Sequence, residues 1–191
     1  MLALGVDPGT RHLGWGVVSR EGNRLCHVAH GVIHLDERAS LANRLTGIEG
    51  ELGAVIARYA PEVGSVESLF FHKDPQAAAK LGHARGVVLL LLARSGIEVA
   101  EYAPARVKKT IAGSGQAEKR QVALMVRAVL ALDELPPSDA ADALALAITH
   151  LRIGTLLKAL RSDSPDEGSA NQRLRALIGK RRRAGAAKRV R

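Results

Sequence analysis

Apolar residues are distributed along the first 160 positions in two alternating patterns. Five segments have the short apolar or alternating composition of strands: Leu2–Val6, Leu13–Ser19, Arg24–Leu35, Val63–Glu67 and Ile97–Tyr102. The turn sequence Asp7-Pro8-Gly9-Thr10 separates the first two, so the first three segments are expected to form an antiparallel meander.

Between these segments the apolar positions recur with the period of a helix. Ser40 is expected to cap the first helix, and Pro61 lies just beyond its end. The other expected helices run from the cap Asp74-Pro75 to the stop at Gly96, from about Ala117 to Ala131, and from Ser138 to roughly Leu160. The order of elements predicts an α/β fold, with a five-stranded mixed sheet and helices on both faces.

The chain is long enough for one well-buried domain, with 191 residues of which 47% are hydrophobic. We expect that domain to cover residues 1–162. Beyond Ser162 the composition changes to Ser, Asp, Pro and Gly, and then to Arg and Lys. Residues 163–191 are therefore predicted to form a mostly disordered basic tail.

The formal charge of +9 reflects this tail. Nine of the 28 basic residues fall between Arg173 and Arg191, where no acid occurs, which leaves 19 basic and 19 acidic residues in the preceding part. Net charge alone therefore does not indicate that the folded part binds nucleic acid.

The remaining composition excludes several classes of protein. A single cysteine, Cys26, excludes an intrachain disulfide and a zinc cluster of cysteines. Asp7 and Arg11 interrupt the N-terminus before a signal peptide could form, and the longest apolar run, Val87 to Ala93, is too short to span a bilayer. We expect a soluble, cytoplasmic protein without membrane contact.

Four acids occupy positions where acids are uncommon. Asp7 ends the first strand, Glu67 ends the fourth, and Asp139 and Asp142 follow Pro136-Pro137 at the start of the last helix. Ligands bind at the carboxyl ends of strands in such sheets, and residues three apart share one helix face. The four carboxylates are expected to converge.

Each acid also has an ordinary explanation when it is considered alone. Asp7 is a common turn former, Glu67 could be a solvated strand end, and acids in the first turn of a helix are favoured by its dipole. The joint arrangement favours a hard-metal site, because clustered carboxylates repel one another unless a cation neutralises them. Oxygen ligands indicate Mg²⁺ or Mn²⁺, and two such ions would suit phosphodiester hydrolysis.

Four segments in order resemble the RuvC family of Holliday-junction resolvases, which have a ribonuclease H-like fold. They are GVDPGTRHLGWGVV at 5–18, VESLFFHKDPQAAAKLGHARG at 66–86, EYAPARVKKTIAGSGQAEKRQV at 101–122 and PPSDAADALALAITH at 136–150. By this resemblance Asp7, Glu67, Asp139 and Asp142 match the family's catalytic acids. It implies a homodimer that makes paired nicks in a four-way junction during recombination and repair, leaves 5′-phosphate ends, and works beside RuvA and RuvB.

Other residues are candidates for holding DNA. Phe70 lies between a strand end and a helix cap, where it could plug the core or stack on bases, and the resemblance implies a junction-opening role for it. Lys108 and Lys119 flank a glycine-containing loop; either could be a solvated surface lysine, and the resemblance implies contact with DNA or a part in catalysis. In the tail, a nonspecific DNA arm or a solubilising segment would explain the cluster Lys180, Arg181, Arg182 and Arg183.

Three other functions compete with a junction resolvase. The segment Asp7-Pro8-Gly9-Thr10 also resembles the first phosphate loop of the actin and sugar-kinase ATPases, but those need a duplicated domain and a second glycine-rich loop. A related ribonuclease H-like nuclease acting on another nucleic acid is the second. A junction-binding module without catalysis is the third, and the presence of all four acids disfavours it.

Overall fold

The computed structural model describes residues 1–68 and 75–162. The strands are β1 (Leu2–Asp7), β2 (His12–Glu21), β3 (Arg24–His34), β4 (Val63–Glu67) and β5 (Glu98–Tyr102). The helices are α1 (Leu41–Tyr59), α2 (Pro75–Arg94), α3 (Pro104–Ala112), α4 (Lys119–Leu130) and α5 (Ser138–Ser162).

The five strands form one mixed sheet in the order β3-β2-β1-β4-β5. The first three strands are an antiparallel meander, whereas β4 lies parallel to β1, and β5 parallel to β4. The carboxyl ends of β1, β4 and β5 therefore lie at the same edge of the sheet. This confirms the predicted five-stranded mixed sheet.

Helices cover both faces of the sheet, as predicted. Buried residues of α1 and α2 pack with Leu4, Val6 and Val66 on one face. Residues of α3, α4 and α5 pack with Ala3, Val18 and Val63 on the other face. Because side chains alternate along a strand, the even positions of β1 and β4 serve the first core and the odd positions face the second.

Two glycines let α5 lie directly on the sheet. A Cβ on Gly5 would stand 1.9 Å from the carbonyl oxygen of Ala143, and one on Gly14 would stand 2.0 Å from that of Asp139. Neither backbone oxygen can move aside without moving the helix. These contacts fix the first turns of α5 above β1 and β2.

The helix boundaries agree with the sequence in part. Ser40 accepts a hydrogen bond from the amide of Asn43, which confirms it as a cap, and Gly96 has a positive φ of 69° after α2. Helix α4 begins at Lys119, two residues later than expected. Helix α5 begins at Ser138, and the amide of Ala141 donates to the carbonyl of Pro137.

Helix α3 is absent from the sequence interpretation, which assigned no element between the fifth strand and the glycine loop. It has nine residues, with Pro104 at its first position and Gly113 ending it at a φ of 80°. Val107 and Ile111, one turn apart, are its buried residues. Two apolar positions are too few to establish a helical period, although the proline and the glycine mark both ends.

The chain divides into two units, Met1–Arg152 and Ile153–Arg191. The expected division into 1–162 and 163–191 stays a prediction, because the tail lies outside the described residues. Among the described helices, none combines the length and apolar character needed to cross a membrane.

Candidate active site

The predicted acids lie at one edge of the sheet. Asp7 is the last residue of β1 and Glu67 the last residue of the adjacent parallel strand β4. Val6 and Val66 are register partners, so the two acids that follow them leave the sheet at the same level. Asp139 and Asp142 come from the start of α5, which the contact at Gly14 holds above this edge.

The electrostatics of Asp7 show that the four acids are neighbours. Burial raises the pKa of Asp7 to about 7, and the negative charges of Asp142, Glu67 and Asp139 contribute to the rise in that order. Lys119 opposes it. Two other elements, β4 and α5, therefore place negative charge around one partly buried carboxyl group, which is costly without a metal cation.

Lys119 places a positive charge beside this cluster of acids. Its Nζ donates a hydrogen bond to Oδ2 of Asp142 at 3.1 Å, and this bond is the main reason that the pKa of Lys119 is raised. A lysine at the first residue of a helix interacts unfavourably with the helix dipole. The pairing with Asp142 gives a structural reason for this placement that the sequence did not reveal.

Within the described ranges, no three side chains among His, Cys, Asp and Glu are arranged so that they could hold a metal ion as they stand. Charges act over longer distances than coordination bonds, so neighbouring acids influence Asp7 without forming a ligand set. Repulsion among the acids and the bond from Lys119 both act against closer approach. The donor set nevertheless fits a hard divalent cation, since it offers carboxylate oxygens and a cation would relieve the repulsion.

Two contacts that the sequence did not predict hold the end of β4. Arg85, a buried residue of α2, donates from Nε to the carbonyl oxygen of Glu67 at 3.3 Å. The amide of Ser68 donates to the carbonyl of Tyr102 at 2.9 Å. Tyr102 also shares a hydrogen bond with His150 of α5, at 2.9 Å between Oη and Nδ1. The sequence feature that could have indicated the Arg85 contact is the presence of an arginine inside the apolar pattern of α2.

The predicted DNA-binding residues are only partly described. Lys108 lies in α3, partly buried, and Lys119 is engaged with Asp142. Phe70 and the tail cluster Lys180, Arg181, Arg182 and Arg183 lie outside the described residues. Their roles stay predictions.

Comparison with known proteins identifies the family. The model of the family "Crossover junction endodeoxyribonuclease RuvC" matches residues 3–150. A protein of that description from Sorangium cellulosum (strain So ce56) is 57% identical over 180 residues, which cover 94% of this chain and 100% of that protein.

Solved structures agree with this. The structure of T. thermophilus RuvC in complex with a Holliday junction substrate is 40% identical, covers 81% of this chain and 97% of its own, and has a TM-score of 0.76. A yeast mitochondrial Holliday junction resolvase shares the fold, with a TM-score of 0.60 at 14% identity, over 84% of this chain and 83% of its own.

The fold is therefore that of the ribonuclease H-like resolvases, a class of α/β nucleases. The family model matches residues 3–150, which include most of the sheet and the first half of α5, and it describes one group within that class. The chain belongs to the RuvC family of crossover junction endodeoxyribonucleases. Proteins of this family are metal-dependent nucleases.

Proposed function

We propose that this nuclease resolves four-way DNA junctions, and that Asp7, Glu67, Asp139 and Asp142 form its catalytic centre. The observation that carries the assignment is the placement of the acids, since Asp7 and Glu67 end adjacent parallel strands and Asp139 and Asp142 lie at the start of α5. The raised pKa of Asp7 agrees with it, because three acids from β4 and α5 act on this carboxyl group together. An isolated turn aspartate would not experience this field. Membership in the RuvC family and the 40% identity to a protein solved with a Holliday junction substrate support the choice of DNA.

Mg²⁺ is the proposed cofactor, with Mn²⁺ as a substitute and two ions in each active site. When bound, such ions would supply an activated water and stabilise charge on the scissile phosphate. The four carboxylates would hold them. Lys119 is positioned to move from Asp142 toward the DNA phosphate when a cation takes over its neutralising role, since its side chain is 71% exposed.

The products and the surrounding machinery are part of the same proposal. Paired nicks that leave 5′-phosphate and 3′-hydroxyl ends would serve recombination and repair, with RuvA and RuvB as partners. Phe70 is proposed to open the junction, Lys108 to contact its backbone, and the basic tail to add nonspecific affinity. The cytoplasm as the location of the protein stays a prediction.

A homodimer would place one active site on each of two strands, and α2 offers a surface for it. Gly82, Gly86 and Leu90 are spaced four residues apart and so share one face of α2. Apart from the backbone of α2 itself, no atom of the described residues lies within 4 Å of a Cβ built on either glycine, and Leu90 is 56% exposed. These glycines therefore do not pack against the sheet. A second copy of the chain is the proposed occupant.

The decisive experiment incubates the purified chain with a synthetic four-way junction and Mg²⁺, beside Asp7→Asn. The parent is expected to make paired nicks with 5′-phosphate ends, and the variant to bind the junction without cutting it. Asp133→Asn is the matched control, since Asp133 is an exposed acid between α4 and α5. Equal cutting of plain duplex, or cutting that survives removal of metal with a chelator, would contradict the proposal.

A further inference from the structure

Arg85 is a charged residue in the interior of the protein. Its exposure is 7%, and it lies in α2 beside Ala84 and Val88, which are both fully buried in the core under the sheet. Arginine is almost never buried unless its charge is paired. Its charge therefore requires partners inside the protein, and those partners show which parts of the chain Arg85 holds together.

The guanidinium of Arg85 joins three elements at the edge of the sheet. Its Nη2 forms an ion pair with Oε2 of Glu101 on β5 at 2.6 Å, and its Nε donates to the carbonyl oxygen of Glu67 at 3.3 Å. Glu101 is the register partner of Val66, so both lie on the α2 side of the sheet. One side chain of α2 thus contacts β5 and the last peptide of β4.

The alternation of side chains gives this contact a consequence for the acids. Val66 packs toward α2, so the side chain of Glu67, the next residue, points to the opposite face, where α5 carries Asp139 and Asp142. Arg85 contacts the main chain of Glu67 from the α2 side of the sheet. The carboxylate of Glu67 faces the other acids on the α5 side. Rotation of that peptide would turn the carboxylate away from Asp7.

We propose that Arg85 is a positioning residue that fixes the Glu67 carboxylate for metal binding, with Glu101 orienting the guanidinium. The inference rests on the proposed function, because it takes Glu67 as one of the metal ligands. Arg85 acts through the main chain of Glu67, whose carbonyl oxygen it contacts. Lysine cannot replace it, since a single ammonium cannot reproduce the fork that reaches two partners at once.

The test compares the full chain with Arg85→Lys, Glu101→Gln and the control Arg20→Lys. Arg20 also donates to a carbonyl, that of Leu151 at 2.8 Å, but far from the acids. Two readouts precede any assay of cutting: Mn²⁺ affinity by calorimetry without DNA, and hydrogen exchange of the Ser68 amide in metal-free protein. Nicking of a four-way junction is then measured over a range of Mg²⁺ concentrations.

For Arg85→Lys we expect Mn²⁺ affinity at least 10-fold weaker, faster exchange at Ser68, and a Mg²⁺ requirement for nicking raised by a similar factor. Glu101→Gln, at a half-exposed position that tolerates change, should shift each quantity in the same direction by about 3-fold. Arg20→Lys should leave all three unchanged even if its unfolding temperature falls.

Two results would overturn the positioning role. One is parental Ser68 exchange and parental Mg²⁺ dependence in both Arg85→Lys and Glu101→Gln. The other is an equal shift in Arg20→Lys, which would reduce the effect to general stability. If Arg85→Lys does not fold, Glu101→Gln decides the matter. Failure of the parent to nick the junction would instead count against the proposed function, which separates the two ideas.

Discussion

The ammonium group of Lys119 lies 3.1 Å from Oδ2 of Asp142, and so links the first residue of α4 to the second acid of α5. The pair connects a residue expected to contact DNA with a residue expected to bind metal. In the absence of a metal cation, Lys119 partly neutralises three of the clustered acids, Asp142, Asp7 and Asp139. The two proposed roles of this region, binding of metal and binding of phosphate, are therefore coupled through one ion pair.

Replacement of Lys119 by Gln is expected to affect catalysis more than folding. Its side chain is 71% exposed, so its removal should change the free energy of unfolding by less than about 1 kcal/mol. Nicking of a four-way junction should fall at least 10-fold, because the variant has no positive charge beside the acids. Lys109→Gln, in the adjacent helix α3, is the control and should nick at nearly the parental rate. Comparable decreases in both variants would indicate a general charge effect.

Replacement of Asp7 by Asn should stabilise the protein at high pH when a chelator has removed metal ions. The pKa of Asp7 rises from 3.8 to about 7 on folding, so between these values the folded state holds a proton that the unfolded state has released. Stability of the parent should therefore fall as pH rises from about 4 to 7, and the cost is fully present above pH 7.

Above pH 7 the gain in Asp7→Asn should be on the order of 2 to 4 kcal/mol, and it should vanish toward pH 4. Denaturant unfolding at pH 5 and pH 8 measures it. Addition of Mn²⁺ should stabilise the parent and not the variant. A gain that is equal at both pH values would show that repulsion at Asp7 is not its cause.

Replacement of Gly14 by Ala should displace the start of α5. The new Cβ would stand 2.0 Å from the carbonyl oxygen of Asp139, so the helix must move and carry Asp139 and Asp142 with it. We expect the free energy of unfolding to fall by about 3 kcal/mol or more, and nicking to be abolished.

The control for this substitution is Gly50→Ala in α1. Outside the backbone of α1, no atom in the described part of the chain lies within 4 Å of a Cβ there, so alanine should stabilise the helix by about 0.5 to 1 kcal/mol. Thermal unfolding and junction nicking together separate the two variants. Normal nicking by Gly14→Ala would contradict the close contact between β2 and α5.

Replacement of Leu90 by Arg should prevent dimer formation. Leu90 is 56% exposed on the face of α2 that also carries Gly82 and Gly86, and a buried unpaired charge at an interface is strongly unfavourable. Light scattering after gel filtration should show a monomer, and paired nicks should become single nicks. Leu124→Arg, at a 42% exposed position of α4, should remain dimeric. The interface lies elsewhere if both variants stay dimeric.

Removal of residues 173–191 should weaken DNA binding in a salt-dependent manner. The deleted segment contains nine Lys or Arg and no acid. The slope of log affinity against log salt should flatten by about 0.9 for each phosphate that the tail neutralises, while paired nicking is retained. Titration of a four-way junction at several salt concentrations measures the slope. An unchanged slope would leave the tail as a solubilising segment.

Most of the architecture could be predicted from the sequence because its signals are local. The apolar runs, the cap at Ser40 and the stop at Gly96 each depend on neighbouring residues, and the structure confirms them. Helix α3 was missed because it is short and its buried face has only Val107 and Ile111. A period needs more repeats than two before it can be distinguished from chance.

The sequence by itself determined which residues could perform the chemistry: acids at Asp7, Glu67, Asp139 and Asp142, and an order of strands that brings two of them to one edge. Only the tertiary structure decided how these acids are held. The lack of a side chain at Gly14 lets α5 pack against the sheet, Lys119 pairs with Asp142, and Arg85 holds the main chain of Glu67. Each of these contacts joins residues at least 18 positions apart, and no local pattern encodes which distant side chain will meet a given backbone oxygen.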